Sequence, residues 1–580
     1  MKNKTLERCK NIAKPHLKTI IIVSILSIII DLLELSKPYL VKVVIDDFLA
    51  LGITGKGFIS ITLIGVIYLA IVVIGNVLDY TTRMKTNIMG EEILYTLRNK
   101  IYKYTQDANI TFHDKTPAGK LFVRITNDVE DISALFKDVI ATVFKDLISI
   151  LSVIFIMVYF SVKLSLLTFT ILPFVIITSI VLTMILNKIY DASKVIRTNI
   201  NTFLAESIYG AKLIKIFNIQ KEKEEECKDL TDEFIKARVP ASIFEGLFPS
   251  LMKLFENIAM TIIISAAIYN WFGIAVEVGS IYIFVSYIKS LFEPINRTID
   301  DIEIVQEAFV SINKIYDIIE QKEYLEDFES GIELDKINGK IEFKNVWFAY
   351  EENNWILKDI SFTIDPGETI ALVGKTGSGK TTITNLVNRF YDIQKGEILL
   401  DGINIKDINK RSLRRHIGTI LQDPFIFARS IKDNIKLNKK LSDKEIWNAL
   451  KMASADEFVK NLPNGLDEVS KERGESFSAG QKQLLAFARI FAHDPDIFIL
   501  DEATANIDTY SENLIQKSID KLSKEKTAIF IAHRLSTIVN VDKIIVLDGG
   551  KIIEQGNHNE LLKNDGYYAK LYNSYYESLG

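Results

Sequence analysis

Cysteine is scarce in this chain: 580 residues hold only Cys9 and Cys227. Two thiols cannot build a disulfide framework, and both fall in segments read below as cytosolic, so they are expected to stay unpaired. Net charge is also small, −5 at pH 7, which argues against a polyanionic partner such as nucleic acid. No short-period repeat and no low-complexity tract is present, so a solenoid or a long unstructured linker is not expected.

Apolar residues are abundant instead. They make up 48% of the chain, and the mean hydropathy is positive, which is rare for a soluble protein of this length. The length itself allows two or three domains. Residues 1–310 carry long Ile, Leu, Val and Phe runs, whereas residues 340–580 alternate short apolar strands with polar helices. Between them lies a mostly acidic stretch ending in the turn pair Asn338-Gly339. The expected organisation is a transmembrane domain over 1–320, a linker over 321–339 and an α/β domain over 340–580.

A bilayer core needs about 20 apolar helical residues. Phe58 to Leu78 gives 21 without a charge, and Leu164 to Leu186 gives 23, with Pro173 as a kink. Leu147 to Phe160, extended back through Val139 to Phe144, and the stretch centred on Ile20 to Ile30 supply two more. Met260 to Phe272 and Ile281 to Ile288 are weaker, and with them the expectation is six spans. A cleaved signal peptide is not expected, because Asp31, Glu34 and Lys37 follow the first apolar centre in place of a small-residue cleavage site. Loop charges set the orientation. Lys and Arg number six up to Lys18, seven over 86–137 and ten over 187–244, against two in the other loops, so both termini and the C-terminal domain are expected in the cytosol.

The two long polar stretches are helical in pattern and are expected to prolong the membrane helices into the cytosol. A joint at Phe112-His113-Asp114-Lys115-Thr116-Pro117-Ala118-Gly119 turns the first one back, where Thr116 to Gly119 is expected to touch an α/β domain, that of a second chain. Lys145, Asp146, Lys253, Glu256, Lys289, Glu293 and Arg297 flank or interrupt apolar spans. They face either an internal cavity, a partner helix or the interface, or they snorkel.

The strand Thr369 to Val373 runs into Gly374, Lys375, Thr376, Gly377, Ser378, Gly379, Lys380 and Thr381, and a helix pattern follows through Thr382. This is G-x-x-x-x-G-K-T in the setting a phosphate-binding loop requires, and a chance match in a chain this long has a probability of about 0.02. The glycines let backbone N–H groups converge on phosphate, the helix N-terminus adds its dipole, Lys380 supplies charge, and the Thr381 hydroxyl suits Mg²⁺. Further on, Asp496 to Leu500 is an apolar strand ending in Asp501 and Glu502: the first carboxylate faces the metal side, and the second is placed to polarise a water in line with the γ-phosphate.

Between these motifs stands Phe477-Ser478-Ala479-Gly480-Gln481, which resembles the signature segment of the ABC ATPases, and the resemblance to ABC exporters covers the whole chain. It identifies Gln422 with the Q-loop, His533 with the switch histidine, Asp508 with the D-loop aspartate, Tyr350 with the aromatic that stacks on adenine, and Glu472-Arg473-Gly474 with the exporter X-loop. The fold class implied is an all-α six-helix transmembrane domain followed by an α/β P-loop ATPase. The resemblance further implies ATP and Mg²⁺ as cofactors, Thr381, Gln422 and Asp501 around the metal, and Glu502, His533 and Gln422 in catalysis. Ser478, Gly480, Gln481 and Asp508 would serve the nucleotide of a second half-transporter, so a dimer is expected, working by alternating access.

The substrate implied is an amphipathic small molecule of the multidrug or lipid class. A dedicated peptide exporter is the alternative, disfavoured by the absence of a peptidase domain before the first span, and an ATP-gated channel or sensor is a third. The signature departs from the family pattern at its first and third positions: Ala479 adds a Cβ where glycine is usual and narrows the backbone choices. With Lys380, Thr381, Asp501, Glu502 and His533 intact, and with Ala503-Thr504-Ala505-Asn506-Ile507-Asp508-Thr509 beside them, the chain resembles the catalytic-glutamate subunit of a heterodimeric exporter.

Overall fold

The computed structural model describes residues 2–49, 55–269, 271, 277–501, 509–523, 526–531 and 539–577. The chain divides into two compact units, one of Met1–Gln106 with Pro117–Lys322, the other of Asp107–Thr116 with Glu323–Gly580.

The first unit is helical throughout. Its elements are α1 (Lys2–Ala13), α2 (Leu17–Val43) and α3 (Gly55–Asp107); α4 (Ile110–Lys115) belongs to the second unit. Then come α5 (Ala118–Ile125), α6 (Asn127–Ala134), α7 (Ala141–Phe160), α8 (Val162–Phe169), α9 (Leu172–Tyr209), α10 (Ala211–Ile216), α11 (Gln220–Ile268) and α12 (Val278–Ile319). Among the described residues five helical runs are long and apolar enough to cross a membrane: Lys4–Phe48, Ser60–Asp107, Ala118–Phe160, Val162–Tyr209 and Gln220–Ile268. The expected sixth span lies on α12, but Lys289, Glu293 and Arg297 cut its apolar stretch short. At 43 to 49 residues, all five of these runs are about 65–74 Å long, roughly twice the bilayer core, so long polar extensions follow from length alone. Pro173 falls in the first turn of α9, just after a break at Thr170-Ile171, where its missing N–H costs nothing.

Two helical cores hold this unit. Leu35, Met157, Phe248, Met252, Phe284 and Tyr287 pack in one. Met89, Ile93, Val129, Phe136, Ala308 and Ile312 pack in the other. By contrast Leu63, Leu69, Val73, Ile177 and Met184 are more than half exposed, as suits side chains whose solvent is lipid.

In the first long polar stretch the helix breaks at Thr116-Pro117, inside the expected joint, and also earlier, at Ala108-Asn109, so that α4 stands between two breaks. Asn109 caps α4 by accepting from the Phe112 N–H (3.0 Å), and Thr116 is extended because a proline follows. Residues 107–116 group with this chain's own second unit, while Pro117 to Gly119 stay with the first. The Asn109 N–H donates to the Tyr324 carbonyl (2.7 Å), and Ala108 bridges Leu325. A second turn, at Gly210 and Phe217 to Ile219 around α10, carries no proline and was not located from the sequence.

The second unit is built on two sheets. One has four strands in the order β2-β1-β4-β5, formed by β1 (Ile341–Ala349), β2 (Trp355–Ile364), β4 (Lys395–Leu400) and β5 (Ile403–Asn404). The other has six in the order β10-β9-β3-β8-β7-β6, formed by β3 (Thr369–Val373), β6 (Ile417–Ile420), β7 (Ile497–Asp501), β8 (Thr527–Ile531), β9 (Lys543–Asp548) and β10 (Lys551–Gly556). β9 through β6 pair in parallel, with β10 antiparallel at the edge. β3 and β8 are buried at every position, as a strand covered on both faces must be. Ile370, Ile497, Ile499 and Ile529 face the four-stranded sheet and α13 (Lys380–Val387). Ala371, Phe498, Leu500 and Phe530 face a helical lobe. That lobe follows α14 (Lys410–His416) and consists of α15 (Ile431–Lys436), α16 (Asp443–Met452), α17 (Asp456–Lys460) and α18 (Ala479–His493).

Candidate nucleotide site

The phosphate loop is held tightly. A Cβ on Gly374 would stand 2.2 Å from the Leu547 carbonyl oxygen, and one on Gly379, whose φ is +105°, would stand 2.6 Å from a Leu357 methyl. Only glycine fits either place. Lys380 is 5% exposed, and its ammonium donates to the carbonyls of Gly374 (2.7 Å) and Lys375 (3.0 Å), curling the loop around itself. The Ser378 hydroxyl is buried with no hydrogen-bond partner among the described residues. An orphaned buried hydroxyl is costly, and a phosphate oxygen at this loop would satisfy it. α13 starts at Lys380, and its first-turn N–H groups have no intrahelical acceptor. The loop therefore fits a nucleotide polyphosphate, with Lys375, Thr376 and Gly377 forming its crest.

Strand register places the other chemistry at the same edge. Leu372 pairs with Ile531, Ile531 with Asp501, and Leu500 with Ile420. The carboxyl ends of β3, β8, β7 and β6 thus lie side by side, the edge where ligands bind in open α/β sheets. Asp501 ends β7 and Gln422 follows β6, with exposed Thr381 at the start of α13. Carboxylate, amide and hydroxyl oxygens are hard donors of the kind Mg²⁺ takes. Glu502, Asp508 and His533, with the segment from Ala503 to Ile507, lie outside the described residues.

Tyr350 follows β1 and is 46% exposed. Its hydroxyl is 3.2 Å from that of Thr382, and its ring meets Phe348 edge-to-face (centroids 4.8 Å). Thr382 is thus a neighbour of the ring rather than of the loop's crest.

In the signature segment, Ser478 caps α18 through a capping box with Gln481. The Ser478 oxygen accepts from the Gln481 N–H (3.2 Å), and the Gln481 side-chain oxygen accepts from the Ser478 N–H (2.9 Å). Phe477 is buried in the helical lobe beside Phe458, so the unusual first residue serves the core. Ala479 is the first helical residue and is exposed, while Gly480 is buried. Its backbone is ordinary helix, so the expected restriction of backbone choice does not arise, and only the added Cβ remains as a difference. Arg473, in the X-loop segment, has a φ of +52°.

Two residues that hold the site had no assigned role in the sequence reading. Gln483, 2% exposed, donates to the Gln422 carbonyl (2.8 Å). Arg489 donates to the Phe425 carbonyl (2.7 Å), the Asn434 carbonyl (2.7 Å) and the Asn434 side chain (2.9 Å), and burial pushes its pKa down to about 10. Gln483 and Arg489 flank the apolar run Leu484–Ala488 of α18, which was the available signal.

In the membrane unit, a mainly apolar cavity of about 480 Å³ is lined by Val139, Val143, Leu147, Ile295 and Val305. A polar one of about 400 Å³ is lined by Arg83, Lys137, Lys145 and Arg297. Asp146 and Asp301 line both. Asp146 accepts from Arg297 (2.6 Å), and Lys253 pairs with Glu256 (2.7 Å). Lys289 and Glu293 are exposed on α12.

A helical membrane unit joined to a P-loop sheet with a signature helix defines an ATP-driven transporter. Comparison with known proteins agrees. Residues 20–295 match the ABC transporter transmembrane region, and residues 357–505 match the ABC transporter ATPase model. The chain is 36% identical over 584 residues to the uncharacterized ABC transporter ATP-binding protein YknV of Bacillus subtilis, covering 98% of this chain and 94% of that one. It is 38% identical over 498 residues to that organism's "Probable multidrug resistance ABC transporter ATP-binding/permease protein YheH", covering 85% and 73%. A solved structure of a bacterial Atm1-family ABC exporter with ATP bound superposes with a TM-score of 0.80 at 26% identity, covering 96% of this chain and 98% of that one. The chain belongs to the ABC transporter family, as an exporter half with fused membrane and ATPase domains. It is a multi-pass membrane protein that hydrolyses ATP to drive transport.

Proposed function

We propose that this chain is one half of a dimeric exporter that moves amphipathic small molecules, of the multidrug or lipid class, out across the cytoplasmic membrane. The observation that carries the reading is the pair of adjoining cavities, one apolar and one charged, that share Asp146 and Asp301. An amphipathic molecule would lay its apolar body along Val143, Leu147 and Ile295 and its polar end toward Arg297 and Lys145. The buried Asp31 Oδ2 and Arg297 Nε have no hydrogen-bond partner among the described residues, which favours a polar group arriving there.

At the sheet edge, Lys380 and the first turn of α13 bind the phosphates, and Tyr350 stacks on adenine. Asp501, Thr381 and Gln422 would hold Mg²⁺, which when bound neutralises charge on the β- and γ-phosphates. Glu502 takes the proton of the attacking water, and His533 steadies the γ-phosphate. Ser478, Gly480 and Gln481 close over a partner's nucleotide, Asp508 lies at the same interface, and both termini lie in the cytosol.

A dimer is favoured by Tyr209, Leu213, Ile216 and Phe217, apolar side chains 57–91% exposed around the second cytosolic turn. We further propose that the partner is a different chain, because a complete catalytic half here accompanies Ala479 in the signature. The test of transport is ATP-dependent uptake of a candidate amphipathic dye into inverted vesicles. A gradient that collapses with Glu502→Gln supports export. ATP-gated equilibration without accumulation would replace export with a channel, and accumulation of peptides alone would move the substrate class to peptides.

A further inference from the structure

Phe348, Tyr350 and Tyr391 form an aromatic cluster whose far side is not the sheet but the cytosolic helix α4. The Tyr391 ring meets Tyr350 edge-to-face (centroids 5.0 Å, 87°) and leans on buried Phe348 (5.7 Å). Its hydroxyl donates to a carboxylate oxygen of Asp114 on α4. Burial pushes the Tyr391 phenol well above its usual range, and the Asp114 carboxylate pushes it further in the same direction. The phenol is therefore always a donor at neutral pH.

Both ends of this contact are rigid. Phe112 of α4 is 2% exposed and packs on Tyr324 (5.8 Å), and the Lys115 ammonium lies over the same ring (5.7 Å). On the other side, Arg414 donates to the Arg389 carbonyl (3.2 Å) and lies over Phe390 (5.1 Å), fixing the residues just before Tyr391. One element between them is free to respond. Tyr350 is 46% exposed, and its hydroxyl lies 3.2 Å from the Thr382 hydroxyl on the phosphate-loop helix.

We propose that Tyr391 is a positioning residue that reads the stacking of a purine base on Tyr350 and passes it to α4 through its hydrogen bond to Asp114. The inference rests on the reading of Tyr350 as the adenine platform. Edge-to-face contact restricts how far one ring turns without moving the other. A base laid on the Tyr350 face thus restrains Tyr391, and the charge-assisted bond to Asp114 tightens with it. The phosphates report to the loop, and the base reports to the cytosolic helix. The two signals are separable because they leave the nucleotide site through different side chains.

Hydrogen exchange of the 107–116 backbone in the full-length chain in lipid nanodiscs tests this, with and without Mg²⁺-ATP. Slowing by about tenfold is expected on adding ATP, the scale of one hydrogen bond to a charged group, and little with inorganic tripolyphosphate. In Tyr391→Phe the ring contact survives, so the ATP KM should change less than about twofold while the ATP-dependent slowing is lost. Asp114→Asn, which keeps an acceptor, should retain most of the slowing, and Asp114→Leu should lose it. The proposal is overturned if Tyr391→Phe keeps the wild-type slowing, if tripolyphosphate slows exchange as much as ATP, or if the wild type shows no slowing. Faster exchange by the same factor with and without ATP in Tyr391→Phe overturns it too, since that marks a merely structural bond. The adenine reading is checked apart from this: if Tyr350→Ala leaves the ATP KM unchanged, that reading falls whatever 107–116 does.

Discussion

Lys380 combines two jobs in one side chain. Its ammonium organises the phosphate loop through the Gly374 and Lys375 carbonyls, and in the proposed site it is the charge that would meet phosphate. Lys380→Ala should therefore weaken ATP binding at this chain's loop by at least about 2 kcal/mol, since it removes a buried charge-assisted contact and strands two carbonyls. Equilibrium titration with a fluorescent ATP analogue checks it. Tyr350→Ala should cost less, roughly 1–3 kcal/mol of stacking. Unchanged affinity in both variants would move the nucleotide pocket elsewhere. Glu502→Gln should leave binding intact and slow hydrolysis by orders of magnitude, because the attacking water loses its base. Single-turnover kinetics read this directly, and near-normal turnover would remove Glu502 from the mechanism.

Among the elements, the segment at the start of the second unit is held by a buried ion cluster. Glu326 is 5% exposed at its side chain and accepts from Arg414 (2.7 and 2.9 Å) and from Lys410 (3.2 Å), both on α14. Burial pushes the Glu326 carboxyl up, but Arg414 and Lys410 more than offset this and hold it below the usual range. A carboxyl that titrates lower folded than unfolded adds stability at any pH above its unfolded value, about 4.3, and that stability is lost as pH falls through the folded value. Glu326→Gln should lower the stability of the ATPase unit at pH 7 by about 3 kcal/mol, because two cations lose their partner. It should also flatten the acid limb of the stability–pH curve below about 4.3. Thermal unfolding of the full-length chain across pH tests both, and an unchanged acid limb would assign acid sensitivity to other carboxylates. α18 shows the same division of labour: Ser478 and Gln481 secure its first turn, and Gln483 and Arg489 hold the Q-loop from its side.

For the whole molecule, the consequence of a heterodimer is an asymmetry of sites. This chain's Glu502 would serve one fast site, and its signature would face a slow site on the partner. Expressed alone, the chain should give little substrate-stimulated ATPase activity, and co-expression with its proper partner should restore it. Binding stoichiometry and vanadate trapping measure the two sites separately. A stable homodimer with two equal sites and full stimulation would sink the idea. In that homodimer the Ala479 Cβ would simply be tolerated, which its exposed place at the first turn of an ordinary helix already makes inexpensive.

Local chemistry made much of this legible in advance. A glycine-rich turn between a buried strand and a helix has few folded solutions, so the phosphate loop was readable at Gly374 to Thr381. The capping residues of α18 were likewise contiguous within Ser478 to Gln481. Helix length and hydropathy are additive properties of the chain, and they carried the reading of membrane spans, except on α12 where Lys289, Glu293 and Arg297 interrupt the run. Contacts between distant segments were not legible. Asp114 meets Tyr391 across 277 residues, Gln483 meets the Gln422 carbonyl across 61, and Asp146 meets Arg297 across 151. Such pairs leave no mark of spacing or periodicity, because they exist only once the strands and helices have been laid side by side. The order of those strands, with β8 between β3 and β7, is what brings the phosphate loop, Asp501 and Gln422 to a common edge. The sequence supplied the groups, and tertiary packing decided which of them meet.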